Sequence, residues 1–131
     1  MGMYTQLFLS VTLEDDTPAD VLDVIQELSY GNTVENPPEH PFFSCGRYHM
    51  LFCGDSAYFG GSSICRFNRD NLELTIVSSL KNYDSEIEKF INWIIPYVSY
   101  GAGTDDLLGY YIYEESEEPT LIYKRSLEDN I

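Results

Sequence analysis

The stretch that decides the fold class is residues 4–31, YTQLFLSVTLEDDTPADVLDVIQELSYG. Apolar and polar residues alternate over its first ten positions and put Leu7, Leu9 and Val11 on one side, as in a half-buried strand. Apolar residues then recur at helical spacing, which predicts a helix over Pro18–Ser29. A strand that leads directly into an amphipathic helix indicates a fold containing both element types.

The ends of this first helix also have signals in the sequence. Thr17 is a residue type that caps helix N-termini, Pro18 suits the first helical position, and Gly31 is a natural stop. The acidic residues on the opposite side of the helix are interpreted as a solvated stripe.

The rest of the chain predicts one more helix and five more strands. The second helix has Asp84 as its N-cap and a kink or early end at Pro96, with Gly101 and Gly103 closing it. Residues 32–46 are predicted to form an irregular loop, because prolines interrupt them. The strands are predicted at Arg47–Cys53, Ser62–Asn68, Leu72–Leu80, Gly109–Glu115 and Thr120–Lys124.

The resulting order, β-α-β-β-β-α-β-β, predicts an α+β fold. We expect a mostly antiparallel sheet with two helices packed on one face, an arrangement that a ferredoxin-like core would fit. With 131 residues, the chain is expected to form a single domain over residues 1–131.

The chain is strongly acidic, with 22 Asp and Glu against seven Lys and Arg and a net charge of −15. This balance disfavours direct binding to nucleic acid or to an anionic membrane, since both attract basic residues. It favours a basic protein as partner, although such a charge can also serve only to keep a protein soluble and monomeric. We expect a monomer or a weak homodimer.

The sequence predicts a cytoplasmic protein. Its first residues lack the basic and apolar segments of a secretory signal, and no apolar run is long enough to span a bilayer. Three cysteines, an odd number, fit reduced thiols better than a disulfide framework.

No catalytic or metal-binding constellation stands out, so the sequence leans against an enzyme without excluding one, and no cofactor is expected. Cys45, His49, Cys53 and Cys65 are zinc-ligand types, but in an extended segment residues four apart would stand about 13 Å from one another. Gly54-Asp55-Ser56 resembles the block that opens some serine esterases. No His follows His49 to activate such a serine, so a tight turn is the favoured explanation of these residues.

Aromatic and acidic residues near the C-terminus form the candidate partner-binding set. Rings supply contact area at protein interfaces, and carboxylates steer a basic partner. The alternative, which the sequence favours, is that Trp93 and the tyrosines only cover the edges of the sheet and core. The acids of this region could also hold a cation, but their spacing is not that of a calcium loop, which favours a solvated rim. The set comprises Trp93, Tyr97, Tyr110, Tyr111, Tyr113, Asp105, Asp106, Glu114 and Glu115.

Several segments together resemble a family of small uncharacterised bacterial proteins. They are NYDSEIEKF at residues 82–90, WIIPY at 93–97, LGYY at 108–111, EEPTLIY at 117–123 and HPFF at 40–43. The resemblance implies a bacterial cytosolic protein and carries over neither an activity nor functional residues.

Three classes of function are compatible with these features. The first is a non-enzymatic protein-binding module, such as an immunity or inhibitor protein that neutralises a basic partner. The second is an acidic mimic of nucleic acid that blocks a DNA- or RNA-binding protein, and the third is a carboxylate-dependent enzyme of unknown substrate.

Overall fold

The computed structural model of the chain describes residues 4–46, 48–54, 63–82, 84–99 and 107–123. These residues form five strands, three helices and two short 3₁₀ turns at Pro41–Ser44 and Ile95–Tyr97. In chain order the elements are β1 (Thr5–Thr12), α1 (Ala19–Ser29), α2 (Met50–Cys53), β2 (Ile64–Asn68), β3 (Glu73–Leu80), α3 (Glu86–Ile94), β4 (Leu107–Tyr113) and β5 (Thr120–Tyr123).

The five strands form one sheet with the order β2-β3-β1-β4-β5, and every neighbouring pair is antiparallel. The predicted α+β class is therefore confirmed. The first strand of the chain occupies the centre of the sheet, while β2 and β5 are its edges.

The core lies on the face of the sheet that the helices cover. Leu7 and Leu9 of β1 and Leu74 and Ile76 of β3 are completely buried there. They belong to one apolar cluster with the inward sides of α1, α2 and α3. All three helices thus pack on the same face, and alternate residues of each strand point away from them.

Edge-to-face ring contacts connect the 3₁₀ turn at Pro41–Ser44 to α2 and α3. Phe42 is completely buried, with its ring centroid 5.2 Å from that of Phe90. The segment predicted as an irregular loop thus supplies part of the core. The rings in this cluster are Phe42, Phe43, Tyr48, Phe52, Phe90 and Trp93.

The strand predicted at Arg47–Cys53 is wrong, because Met50–Cys53 is the short helix α2. Leu51 and Phe52 both point into the core, which adjacent residues of a strand cannot do. The hydroxyl of Ser78 donates to the carbonyl of Leu51, and the N–H of Ser79 donates to the carbonyl of Gly54 at 2.8 Å. These bonds attach α2 to β3.

Both predicted N-caps are wrong. The hydroxyl of Thr17 donates to the carbonyl of Glu14 at 2.6 Å, so it stabilises the preceding turn, and Pro18 occupies the cap position. At α3 the cap position is Ser85, in the left-handed conformation with φ of 58°. The helix receives its side-chain acceptor from Asn82 Oδ1, which lies 2.9 Å from the backbone nitrogen of Ile87.

The early end of the second predicted helix is confirmed. The α-helix finishes at Ile94 and the chain continues as a 3₁₀ turn that contains Pro96. The predicted closure at Gly101 and Gly103 lies outside the described residues.

Candidate functional site

An acidic groove runs along the exposed side of α1. It has a volume of about 790 Å³ and lies between that helix and the segment that follows it. Four of its lining residues are carboxylates, and two valines supply apolar surface. The lining residues are Asp20, Asp23, Val24, Glu27, Asn32, Thr33, Val34, Glu35 and Asn36.

The groove exists because the chain turns back beside the helix it has just left. Gly31 makes this turn with a φ of 81°, a left-handed value that favours glycine. The amide of Asn32 then donates to the Glu27 carboxylate at 3.2 Å. Further along, the N–H of Val34 donates to the Tyr48 hydroxyl at 2.8 Å, which holds the segment against the core.

The charges of the groove are almost all negative. Arg69 neutralises one of them from outside the lining, because its guanidinium lies 2.8 Å from the Asp23 carboxylate. Asp20, Glu27 and Glu35 have no cationic partner in the described part of the chain and are all exposed. An open groove lined by several carboxylates and two valines suits Lys or Arg side chains, whose stems are apolar and whose heads are charged.

The predicted partner-binding residues of α3 and its 3₁₀ turn lie mostly inside the protein. Trp93 is only 7% exposed, and its ring meets that of Phe43 edge to face at 5.0 Å. Tyr97 is half-buried, with its ring 6.4 Å from that of Trp93. Little of the Trp93 ring is therefore accessible to a partner.

The predicted tyrosines of β4 lie on both faces of the sheet. Tyr110 is opposite Phe8 on the face without helices, where the two rings stack at 5.5 Å. Tyr111 is on the helix-covered face, opposite Leu7. Tyr113 is exposed at the end of the strand, close to the predicted Glu114 and Glu115, of which Glu115 is exposed. Asp105 and Asp106 lie outside the described residues.

Tyr111 lines a smaller groove of about 240 Å³ between α3 and β5. Burial, reinforced by the neighbouring Glu88 carboxylate, raises the pKa of the Tyr111 phenol. Ile91 and Ile122 are among its apolar lining residues. It therefore opens beside the outer strand of the sheet.

An apolar row crosses the face of the sheet that the helices leave open. Its members are directly opposite one another in the strand registers and belong to all five strands. In spatial order they are Ile64, Val77, Phe8, Tyr110 and Leu121, and the two end residues are 44% and 49% exposed.

The residues weighed as zinc ligands do not form a metal site in the described ranges, which contain no cluster of three or more His, Cys, Asp or Glu able to hold an ion. The segment from His49 to Cys53 is not extended, so the separation of about 13 Å predicted for residues four apart does not apply. Cys53 ends α2, and its thiol donates to the carbonyl of His49 one turn earlier. Cys45, Cys53 and Cys65 form no disulfide in the described part of the chain. Asp55 and Ser56 lie outside the described residues.

Comparison with known proteins adds no relative. No family model, no curated protein and no solved structure matches the chain. Within the residues described, no helix combines the length and the apolar character needed to cross a membrane.

Sequence reasoning did not single out the acidic groove. The sequence predicts a solvated face for the acids of α1 and an irregular loop around Glu35. Gly31 was the available signal, since a helix that stops at a glycine can be followed by a chain that folds back onto it.

Proposed function

We propose that this chain is a non-enzymatic protein-binding module that holds a basic segment of a partner protein in the groove beside α1. The observation that carries the proposal is the grouping of Asp20, Glu27 and Glu35 around one groove of about 790 Å³. Several carboxylates on one concave surface attract a basic partner over long range and fix its orientation on contact.

The position of the other acids favours a protein partner over imitation of a nucleic acid. Glu14, Asp15 and Asp16 follow β1, whereas Glu117 and Glu118 lie in the β4–β5 turn at the opposite end of the sheet. A nucleic-acid mimic needs its charges in continuous rows with phosphate-like spacing. Separate groups of acids suit the recognition of a shorter basic segment.

An immunity or inhibitor protein that neutralises a basic toxin or enzyme is the biological role that we propose. The resemblance of the sequence to small bacterial proteins, and three cysteines that form no disulfide in the described residues, support a bacterial cytoplasm as its location.

The test is capture of partners from the source cells with the tagged chain, at low and high salt, alongside a variant carrying Asp20→Asn, Glu27→Gln and Glu35→Gln. The wild type should retain a basic protein at low salt and release it at high salt, because screening weakens the contact. The groove variant should retain much less of it.

The matched control carries Glu115→Gln, Glu117→Gln and Glu118→Gln, which removes the same charge from exposed residues away from the groove. It should capture as much partner as the wild type. Equal losses in the two variants would mean that net charge, and not the groove, attracts the partner, and the proposal would fail.

A further inference from the structure

The groove between α3 and β5 has the composition of a small-molecule site. Two of its walls are buried apolar side chains, Ile91 of α3 and Ile122 of β5. Three other lining side chains are polar and exposed, those of Glu88, Asn92 and Thr120. Concave surfaces that combine apolar walls with a few convergent polar groups are typical of ligand sites.

The spacing of residues in both elements brings these side chains together. Glu88, Ile91 and Asn92 are at positions i, i+3 and i+4 of α3, so they share one side of the helix. On β5, Thr120 and Ile122 are two residues apart and lie on the face of the sheet that the helices cover. The groove is thus the gap between one side of a helix and one face of an edge strand.

Tyr111 of β4 adds an aromatic ring to the groove and is directly opposite Thr120 in the strand register. Its phenol lies close to the Thr120 hydroxyl and to the Glu88 carboxylate. Because burial and that carboxylate raise the pKa of the phenol, it stays protonated at neutral pH and can donate to Glu88. The carboxylate is therefore held beside an aromatic ring.

The charge of this groove selects a cation. Among the described residues that line it, Glu88 is the one acid and none is basic. Lys89, the next residue in the sequence, directs its ammonium group to the Cys45 thiol at 3.9 Å. In the part of the chain that the structure describes, Glu88 has no cationic partner. An ammonium group would supply one, whereas the carboxylate would repel an anion.

We propose that this groove binds a small primary arylalkylamine, with its ring between Ile91 and Ile122 and its ammonium group on Glu88. The volume of about 240 Å³ is below that of sites for drug-sized ligands, which suits one ring with a short chain. Glu88 and Asn92 are about 6 Å apart along the helix axis, so the ammonium group and the ring can follow one another along α3. The Tyr111 ring offers the ammonium group a second favourable contact.

This inference is independent of the α1 groove. The helix α1 packs over β2 at one edge of the sheet, whereas the α3 groove opens beside β5 at the other edge. Loss of binding at one groove therefore leaves the other intact.

Titration of the isotope-labelled full chain with phenethylamine, followed through its amide NMR signals, tests the proposal. At about 0.15 M salt, which screens long-range attraction to the net charge, the signals of Asn92 and Ile122 should shift and saturate. The expected Kd is on the order of 1 mM, because the ligand has few atoms.

Two further probes separate the parts of the ligand. Phenethyl alcohol keeps the ring without the charge and should bind about fivefold more weakly. Ethylamine keeps the charge without the ring and should bind at least about tenfold more weakly, since it buries little apolar surface.

Glu88→Gln should weaken phenethylamine binding about fivefold and leave phenethyl alcohol binding unchanged, because it removes the charge and keeps the shape. Glu115→Gln is the matched control, since it removes the same charge from an exposed residue outside the groove, and it should bind like the wild type. Both acids are exposed, so neither change should unfold the chain.

The absence of saturable shifts with phenethylamine overturns the proposal, and so do shifts confined to α1. Equal binding of ethylamine and phenethylamine also overturns it, since net charge alone would then attract the cation. Equal weakening by Glu88→Gln and Glu115→Gln has the same meaning.

Discussion

The two faces of the sheet use the same strands in different ways. On β1, Leu7 and Leu9 are completely buried beneath the helices, whereas Gln6 and Phe8 remain half-buried on the other side. The covered face therefore supplies most of the stability. The open face, with an apolar row across all five strands, retains surface that can be removed from water by contact with another molecule.

The largest effect should come from shortening matched residues on the two faces. Leu9→Ala should reduce the free energy of unfolding by about 3 kcal/mol, because it leaves a cavity in a closed core. Phe8→Ala removes a larger side chain but should cost only about 1.5 kcal/mol, since the ring is only partly buried. Urea denaturation measures the free energy of unfolding of both variants. Equal losses would show that the open face is packed as tightly around Phe8 as the helix-covered face is around Leu9.

A smaller effect on the stability of the fold should appear at alkaline pH, and it should depend on Cys65. The Cys65 side chain lies on the helix-covered face of the sheet, opposite Ile76 of β3. Burial, with a smaller contribution from Cys53, raises the pKa of the Cys65 thiol to about 12. The neutral thiol is thus favoured in the folded state. Its stabilising contribution is complete below the unfolded pKa of about 8.5 and is lost as the pH rises towards 12.

Melting temperatures of the wild type and Cys65→Ala between pH 8 and pH 11 measure this contribution. The wild type should lose more stability than the variant over that range. Tyrosines and lysines titrate in both proteins, so their effects cancel in the difference. Parallel curves would contradict the assignment.

The smallest effect should be the coupling between Phe8 and Tyr110 on the open face. Their rings are 5.5 Å apart and nearly parallel, with an interplanar angle of 18°. A double-mutant cycle with Phe8→Ala and Tyr110→Ala should give a coupling of about 1 kcal/mol. A coupling near zero would mean that the row consists of independent side chains and not of a packed surface.

The sequence was sufficient to predict the regular parts of the fold. The alternation around Leu9 and the helical spacing around Ile25 each extend over several residues, so their periods are unambiguous. Residues 48–53 are too few to show a period. Their helix depends on ring packing against α3 and on the bond from Ser78, both of which involve residues distant in sequence.

The sequence indicates the acidic character of the candidate site but not its position in the fold. The excess of acids is visible in the sequence, and a basic partner stays a prediction. The position of the groove depends on a turn at Gly31 and on the contact between Val34 and Tyr48. Trp93 shows the opposite difficulty. The sequence places Trp93 in the candidate partner-binding set, whereas the ring of Phe43, in the 3₁₀ turn, packs against it.

The central position of β1 has a consequence for how this chain acquires its structure. β1 leaves the ribosome before both of its neighbours, β3 and β4, which come from later parts of the sequence. Contacts between distant segments require large loops to close and are formed slowly. The nascent chain therefore carries an unpaired apolar strand until most of its residues have been synthesised, and the whole sheet assembles cooperatively afterwards.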